Sequence, residues 1–140
     1  MNKEFIPYKQ AVELKELGFD EPCLAFYDGK ETNQVYYNSI RNGSGDYEPF
    51  KNNERLKWFG APLYQQAFKW FREKHRLYHV INMFGDWDKP QYSYIVSGKT
   101  MGNPAHMWYY EDVDSYEKAE LICLNKLIEI IKNKFGGLEK

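Results

Sequence analysis

The chain is poor in the residues that most often carry chemistry. It has two cysteines, Cys23 and Cys123, and three histidines among 140 residues. Two thiols make no disulfide framework. Both stand in apolar stretches, where a thiol behaves as a small buried hydrophobe. No apolar run approaches the roughly 20 residues that cross a bilayer. The start, Met1-Asn2-Lys3-Glu4-Phe5, has no hydrophobic segment of signal-peptide type. A cytoplasmic protein without membrane insertion is therefore expected. An excess of either charge is also lacking, because 19 Lys and Arg offset 20 Asp and Glu for a net charge of −1. Broad electrostatic attraction to phosphate is thus removed, and nucleic acid is not the expected partner.

The motifs of common enzyme sites are incomplete. Gly98-Lys99-Thr100 has the end of a phosphate-binding loop, but Ser93 stands where the first glycine belongs. Met101-Gly102-Asn103-Pro104 follows in place of a helix start that would present its N–H groups to phosphate. His75 and His79 are four apart, yet a helix end is expected between them, so they do not share a zinc-binding face. Cys123 lies in an apolar helix stripe, where a thiol stays protonated and inert. Asp86/Asp88 and Glu111/Asp112/Asp114 read as turn and cap charges. No catalytic residue, metal or cofactor is expected on these grounds.

Aromatic side chains are abundant, at 18% of the chain, with 12 tyrosines. The densest run is Pro62–His75. On a helix, Leu63, Tyr64, Ala67, Phe68, Trp70 and Phe71 fall on one side, and Gln65, Lys69, Arg72 and Arg76 on the other. Burying each large side chain is worth about 1.5–3 kcal/mol, so this helix must be covered. Pro7–Leu17 reads as a first helix stopped by Gly18. Strands are expected at Cys23–Tyr27, Gln34–Ile40, Leu77–Phe84 and Gln91–Val96, with a fifth at Met107–Tyr110. Residues 41–60 and 97–106 read as long polar loops. A last helix is expected to start at Asp114 as cap with Glu117 three residues on, and to end at Gly136-Gly137. Tyr-x-x-Ala recurs at Tyr8/Ala11, Tyr64/Ala67 and Tyr116/Ala119, which raises a twice-used ββα unit. The sum is one α+β domain over 1–140. Its expected order is α-ββ-α-ββ(β)-α, with helices packed on one antiparallel sheet of four or five strands.

Several of these segments also carry a resemblance. They are Ile6-Pro7-Tyr8, Leu14–Cys23, Ala61-Pro62 with Tyr64–Lys74, and Ser115-Tyr116-Glu117 with Ala119-Glu120-Leu121. Together they resemble a family of short uncharacterised proteins of bacteriophages, prophages and Bacteroides-group bacteria. The match covers the three helices and little of the strands. It implies a bacterial or phage cytosolic setting and brings no activity, cofactor or catalytic residue.

Two places remain as candidate sites. Trp87, Trp108, Tyr109 and Tyr110 lie on or beside loops, with Lys99 and His106 near them in sequence. Such aromatics suit a recognition surface. Glu120 points into the apolar stripe of the last helix, between Tyr116, Ala119, Cys123 and Leu124. A buried carboxylate needs a partner or a proton, so an ion pair or a tyrosine hydroxyl is expected beside it. The expected function is that of a non-enzymatic accessory protein that binds a protein partner or itself. The alternative is a small-ligand pocket or enzyme around Glu120 and the sheet tyrosines.

Overall fold

The computed structural model describes residues 4–30, 32–37, 59–98 and 106–138, with backbone alone at 37, 106–112 and 134–138. It is an α+β protein in which the chain divides into two compact units, 1–66 and 67–140.

The first unit holds helix α1 (Tyr8–Glu16) and strands β1 (Ala25–Tyr27), β2 (Tyr36–Tyr37) and β3 (Phe59–Ala61). Pro7 precedes α1 with extended backbone, and its carbonyl accepts from Ala11 N–H at 3.0 Å. Leu14 and Ala11 turn inward. The helix ends at a left-handed Gly18 (φ +102°). Gly18 N–H reaches the Lys15 carbonyl and Phe19 N–H the Leu14 carbonyl, which satisfies two helix-end acceptors. Phe19 and Leu14 are both buried at this stop. The strands pair antiparallel in the order β2-β1-β3, with Ala25 opposite both Tyr37 and Ala61. Tyr8 packs edge-on against Tyr27 at 5.6 Å and Phe59 at 5.8 Å. The Lys15 ammonium lies 4.6 Å from the Phe59 ring centre. Phe59-Gly60-Ala61 is a strand, not the end of a polar loop; three residues are too few for alternation to show. Residues 38–58, including most of that loop and the end of the expected second strand, lie outside the described residues.

Helix α2 (Tyr64–His75) begins in the first unit and continues into the second. Tyr64, Ala67, Phe68, Trp70 and Phe71 are all buried, as their spacing required. The second unit then has strands β4 (Leu77–Asp86), β5 (Lys89–Gly98) and β6 (His106–Val113), followed by α3 (Tyr116–Leu138). Arg76 joins α2 to β4 in a left-handed conformation (φ 55°). The strands form an antiparallel sheet in the order β4-β5-β6. Among the described residues, six strands thus fall into two three-stranded sheets, where one sheet of four or five strands was expected. The order is α-βββ-α-βββ-α. A repeated unit is also not what the topology gives, because the first strand is central in one sheet and the second strand in the other.

Helix α3 packs its Ala119, Cys123, Leu124, Leu127, Ile128 and Ile131 stripe inward, with β5 as its main neighbour. Its cap is Ser115, not Asp114. Ser115 O accepts from Ala119 N–H at 3.1 Å, and Ser115 Oγ accepts from Lys118 N–H at 3.2 Å. The residue whose carbonyl takes the first helical bond is the one whose side chain can cap. Asp114 instead pairs with Lys118 at 3.0 Å. That lysine holds the Asp114 carboxyl below its usual range, by hydrogen bond and by charge. The helix passes through Gly136-Gly137 to Leu138, so two glycines did not stop it.

Candidate interaction surface

The β4–β5 pairing fixes which side chains share a face. Leu77, His79, Ile81 and Met83 oppose Gly98, Val96, Tyr94 and Tyr92. Directly opposed residues lie on one side of an antiparallel sheet. His79 stacks on Phe68 of α2 with ring centres 3.8 Å apart, and Tyr92 meets Tyr116 of α3 edge-on at 5.7 Å. This is therefore the helix-covered face, although Met83 near the end of β4 lies beyond that cover and is 43% exposed. Burial, then the nearby Arg72 charge, lowers the His79 pKa, so its imidazole favours the neutral form there.

Tyr78, Val80, Asn82 and Phe84 occupy the other face, opposite Ser97, Ile95, Ser93 and Gln91. Here Tyr78 is 45% exposed, Val80 50% and Phe84 38%. By register, Tyr109 of β6 pairs with Ile95 and Met107 with Ser97. Ser93, at the centre strand, is buried on this face. Leu77–Phe84 contains no Lys, Arg, Asp or Glu. At the turn Trp87 is 89% exposed. Large apolar side chains concentrated along one strand mark a contact surface more than scattered ones do.

The two edges of this sheet differ. Between Tyr92 and Tyr94 of β5 there is one residue, but between their partners Val113 and Tyr110 of β6 there are two, Glu111 and Asp112. That extra residue is a bulge, and with its acidic pair it blunts the β6 edge against further pairing. From Leu77 to Phe84, β4 has no bulge, proline or charge, and among the described residues no strand neighbours its outer edge.

Of the expected site residues, Trp87 lies at the β4–β5 turn, while His106, Trp108 and Tyr109 are on β6 opposite Gly98, Val96 and Ile95. Trp87 and His106 thus stand at opposite ends of β5, about 30 Å apart at a strand's rise per residue. The structure does not bring these aromatics into one cluster. Lys99 lies outside the described residues. What sequence reading missed is the exposed row Tyr78, Val80 and Phe84. Its signal was present, since apolar residues fill both parities of Leu77–Phe84 although a single layer of helices covers only one.

Glu120 is partly buried on α3. Burial, then the Glu117 charge, raises its pKa to about 7. Its charge raises the pKa of Tyr116 and of Cys123, after the larger effect of their own burial. Among the described residues, no lysine or arginine pairs with it. The expected ion pair is thus replaced by a half-sheltered acid beside Tyr116 and Cys123, because basic side chains on α3 such as Lys118 and Lys126 pair elsewhere. Cys123 is buried and free, with its thiol pushed up to about 12 chiefly by burial. Cys23 is likewise buried and free, and its S–H donates to the Glu21 carbonyl. Among the described residues no three His, Cys, Asp or Glu side chains converge to hold a metal ion, and no helix is long and apolar enough to cross a membrane.

Comparison with protein-family models, with curated proteins and with solved structures gave no match.

Proposed function

We propose that this is a small cytoplasmic accessory protein, of the phage or prophage kind its resemblance implies, that works without catalysis by binding a macromolecular partner or itself. The contact surface is the outer face of β4 and the Trp87 turn. The observation that carries this reading is the exposed row Tyr78, Val80, Phe84 and Trp87 on and beside an uncharged strand segment. Leaving such side chains in water forgoes about 25 cal/mol for each Å² that a partner could cover.

A photo-reactive residue placed at Val80 or at Trp87, in cells that carry the protein, tests it. The expected result is a discrete adduct, to this chain or to one other macromolecule, that is absent when the probe sits at exposed Lys132. Absence of any adduct from both positions would overturn the reading.

Glu120 favours a second reading, a small-ligand site between α3 and β5. An acid held near neutrality beside Tyr116, whose ring meets Tyr92, is the kind of group binding sites use. Chemical-shift changes confined to Glu120, Tyr116 and Tyr92 during titration with carboxylate- and amine-bearing small molecules would support it. Their absence would leave Glu120 as a structural acid.

A further inference from the structure

We propose that β4 pairs edge to edge with β4 of a second copy of this chain, joining two three-stranded sheets into one of six strands. The inference deepens the reading above and rests on it, by naming the partner and the mode of contact.

Charge is the first argument. The residues entering β4 are mainly basic, Arg72, Lys74 and Arg76 with one acid, Glu73, and those leaving it are mainly acidic, Asp86 and Asp88 with one base, Lys89. All of them are exposed, and the segment from Leu77 to Gly85 is uncharged. Antiparallel pairing of this strand with itself therefore sets the basic end of each copy against the acidic end of the other. A parallel arrangement would set like against like.

Register follows from the faces. In a two-fold pair each residue opposes a partner on the same face, so the two numbers sum to an even value. Centring the axis on Ile81 brings Arg76, the residue just before the strand, near the second copy's Asp86 at the far end of it. Tyr78 then opposes Phe84, and Val80 opposes Asn82. Both ion pairs form together, and the exposed apolar residues of the outer face extend into one continuous strip across the junction. The edge itself is suited to the role, because Leu77–Phe84 lacks the bulge, proline and charge that natural sheets use to prevent such pairing, whereas β6 carries a bulge and Glu111-Asp112. Main-chain hydrogen bonds supply the affinity in this mode and the side chains set the register.

Sedimentation of the full chain over a range of concentrations tests the pairing. The wild type is expected to move from monomer to a species of twice the mass. Asp86→Lys alone and Arg76→Glu alone should each weaken the dimer by about tenfold, since each sets like charges opposite at two symmetric places. The double variant Arg76→Glu/Asp86→Lys should restore it, which also shows that the single variants did not fail by misfolding. Register is read by oxidation. Tyr78→Cys and Phe84→Cys proteins should form a mixed disulfide with each other far faster than either forms with itself, the native Cys23 and Cys123 being buried. A chain that stays monomeric at every concentration, or a dimer indifferent to both charge variants, would overturn the edge pairing. If adducts from Val80 or Trp87 then join a different macromolecule, the contact-surface reading stands and only the second copy is lost. If there are no adducts either, both fail.

Discussion

The Tyr27 hydroxyl donates a 2.6 Å hydrogen bond to the main-chain carbonyl of Ile6, 21 residues earlier, and both groups are buried. A strand is thereby tied to the segment that leads into α1. The same segment is held from the other side, where Ile6 N–H reaches the Pro62 carbonyl at 3.0 Å.

Removing the hydroxyl strands the Ile6 carbonyl on one side. Tyr27→Phe should therefore lose about 1–3 kcal/mol in urea unfolding. Burial also pushes the phenol up to about 12 from an ordinary value of 10.0. The folded state holds this proton more tightly than the unfolded chain. Its contribution is complete below pH 10 and is lost as pH rises from about 10 to 12. Alkaline unfolding of Tyr27→Phe should show a shallower decline over that window than the wild type.

Glu120 runs the same way at lower pH. Its folded pKa of about 7 lies above the ordinary 4.5. The stability tied to its proton is present below pH 4.5 and is lost as pH rises through 7. Glu120→Gln should therefore be more stable than the wild type at pH 8, by about 1–2 kcal/mol after allowing for solvent screening at a partly exposed group. The two proteins should converge toward pH 4.5. Paired denaturation curves at pH 5 and pH 8 check this, and a carboxyl carbon that titrates near 4.5 in the folded protein would refute it.

Gly98 is buried opposite Leu77, where a β-carbon would fall 2.5 Å from Leu77 Cδ2 and 2.8 Å from the Arg76 carbonyl oxygen. The second of these is main chain beside a left-handed residue and has little room to yield. Gly98→Ala should cost about 1–3 kcal/mol, measured as a lower melting temperature. A variant as stable as the parent would show that β4 can shift away from β5 at this end.

The start of α3 separates a cap from a surface charge. Ser115→Ala should lose about 1 kcal/mol. Asp114→Ala should change stability little, because its pairing with Lys118 is largely exposed to solvent. Equal losses from both would mean that the two side chains share the capping role.

The helices were largely legible in the chain, because a buried stripe such as Tyr64, Ala67, Phe68 and Phe71 repeats over about two turns and leaves a pattern. The strands of the second unit were legible in place but short by several residues, since Asp86, Lys89 and Pro90 look like turn and yet complete the hairpin. β3 left no pattern at all. How strands group into sheets is decided by pairing across long separations, such as Ala25 with Ala61, and local alternation does not carry it. The candidate site fared similarly. Closeness in sequence suggested one aromatic cluster, but a hairpin sends Trp87 and His106 to opposite ends of its middle strand.

The bulge at Glu111-Asp112 sets a limit on growth. A sheet with two receptive borders can add chains without end, and that is the route to fibres. Among the described strands of this sheet only the β4 border lacks such a bulge, so the proposed pairing would use that border of each chain and leave the bulged β6 borders outermost. The proposed assembly would then close at two chains.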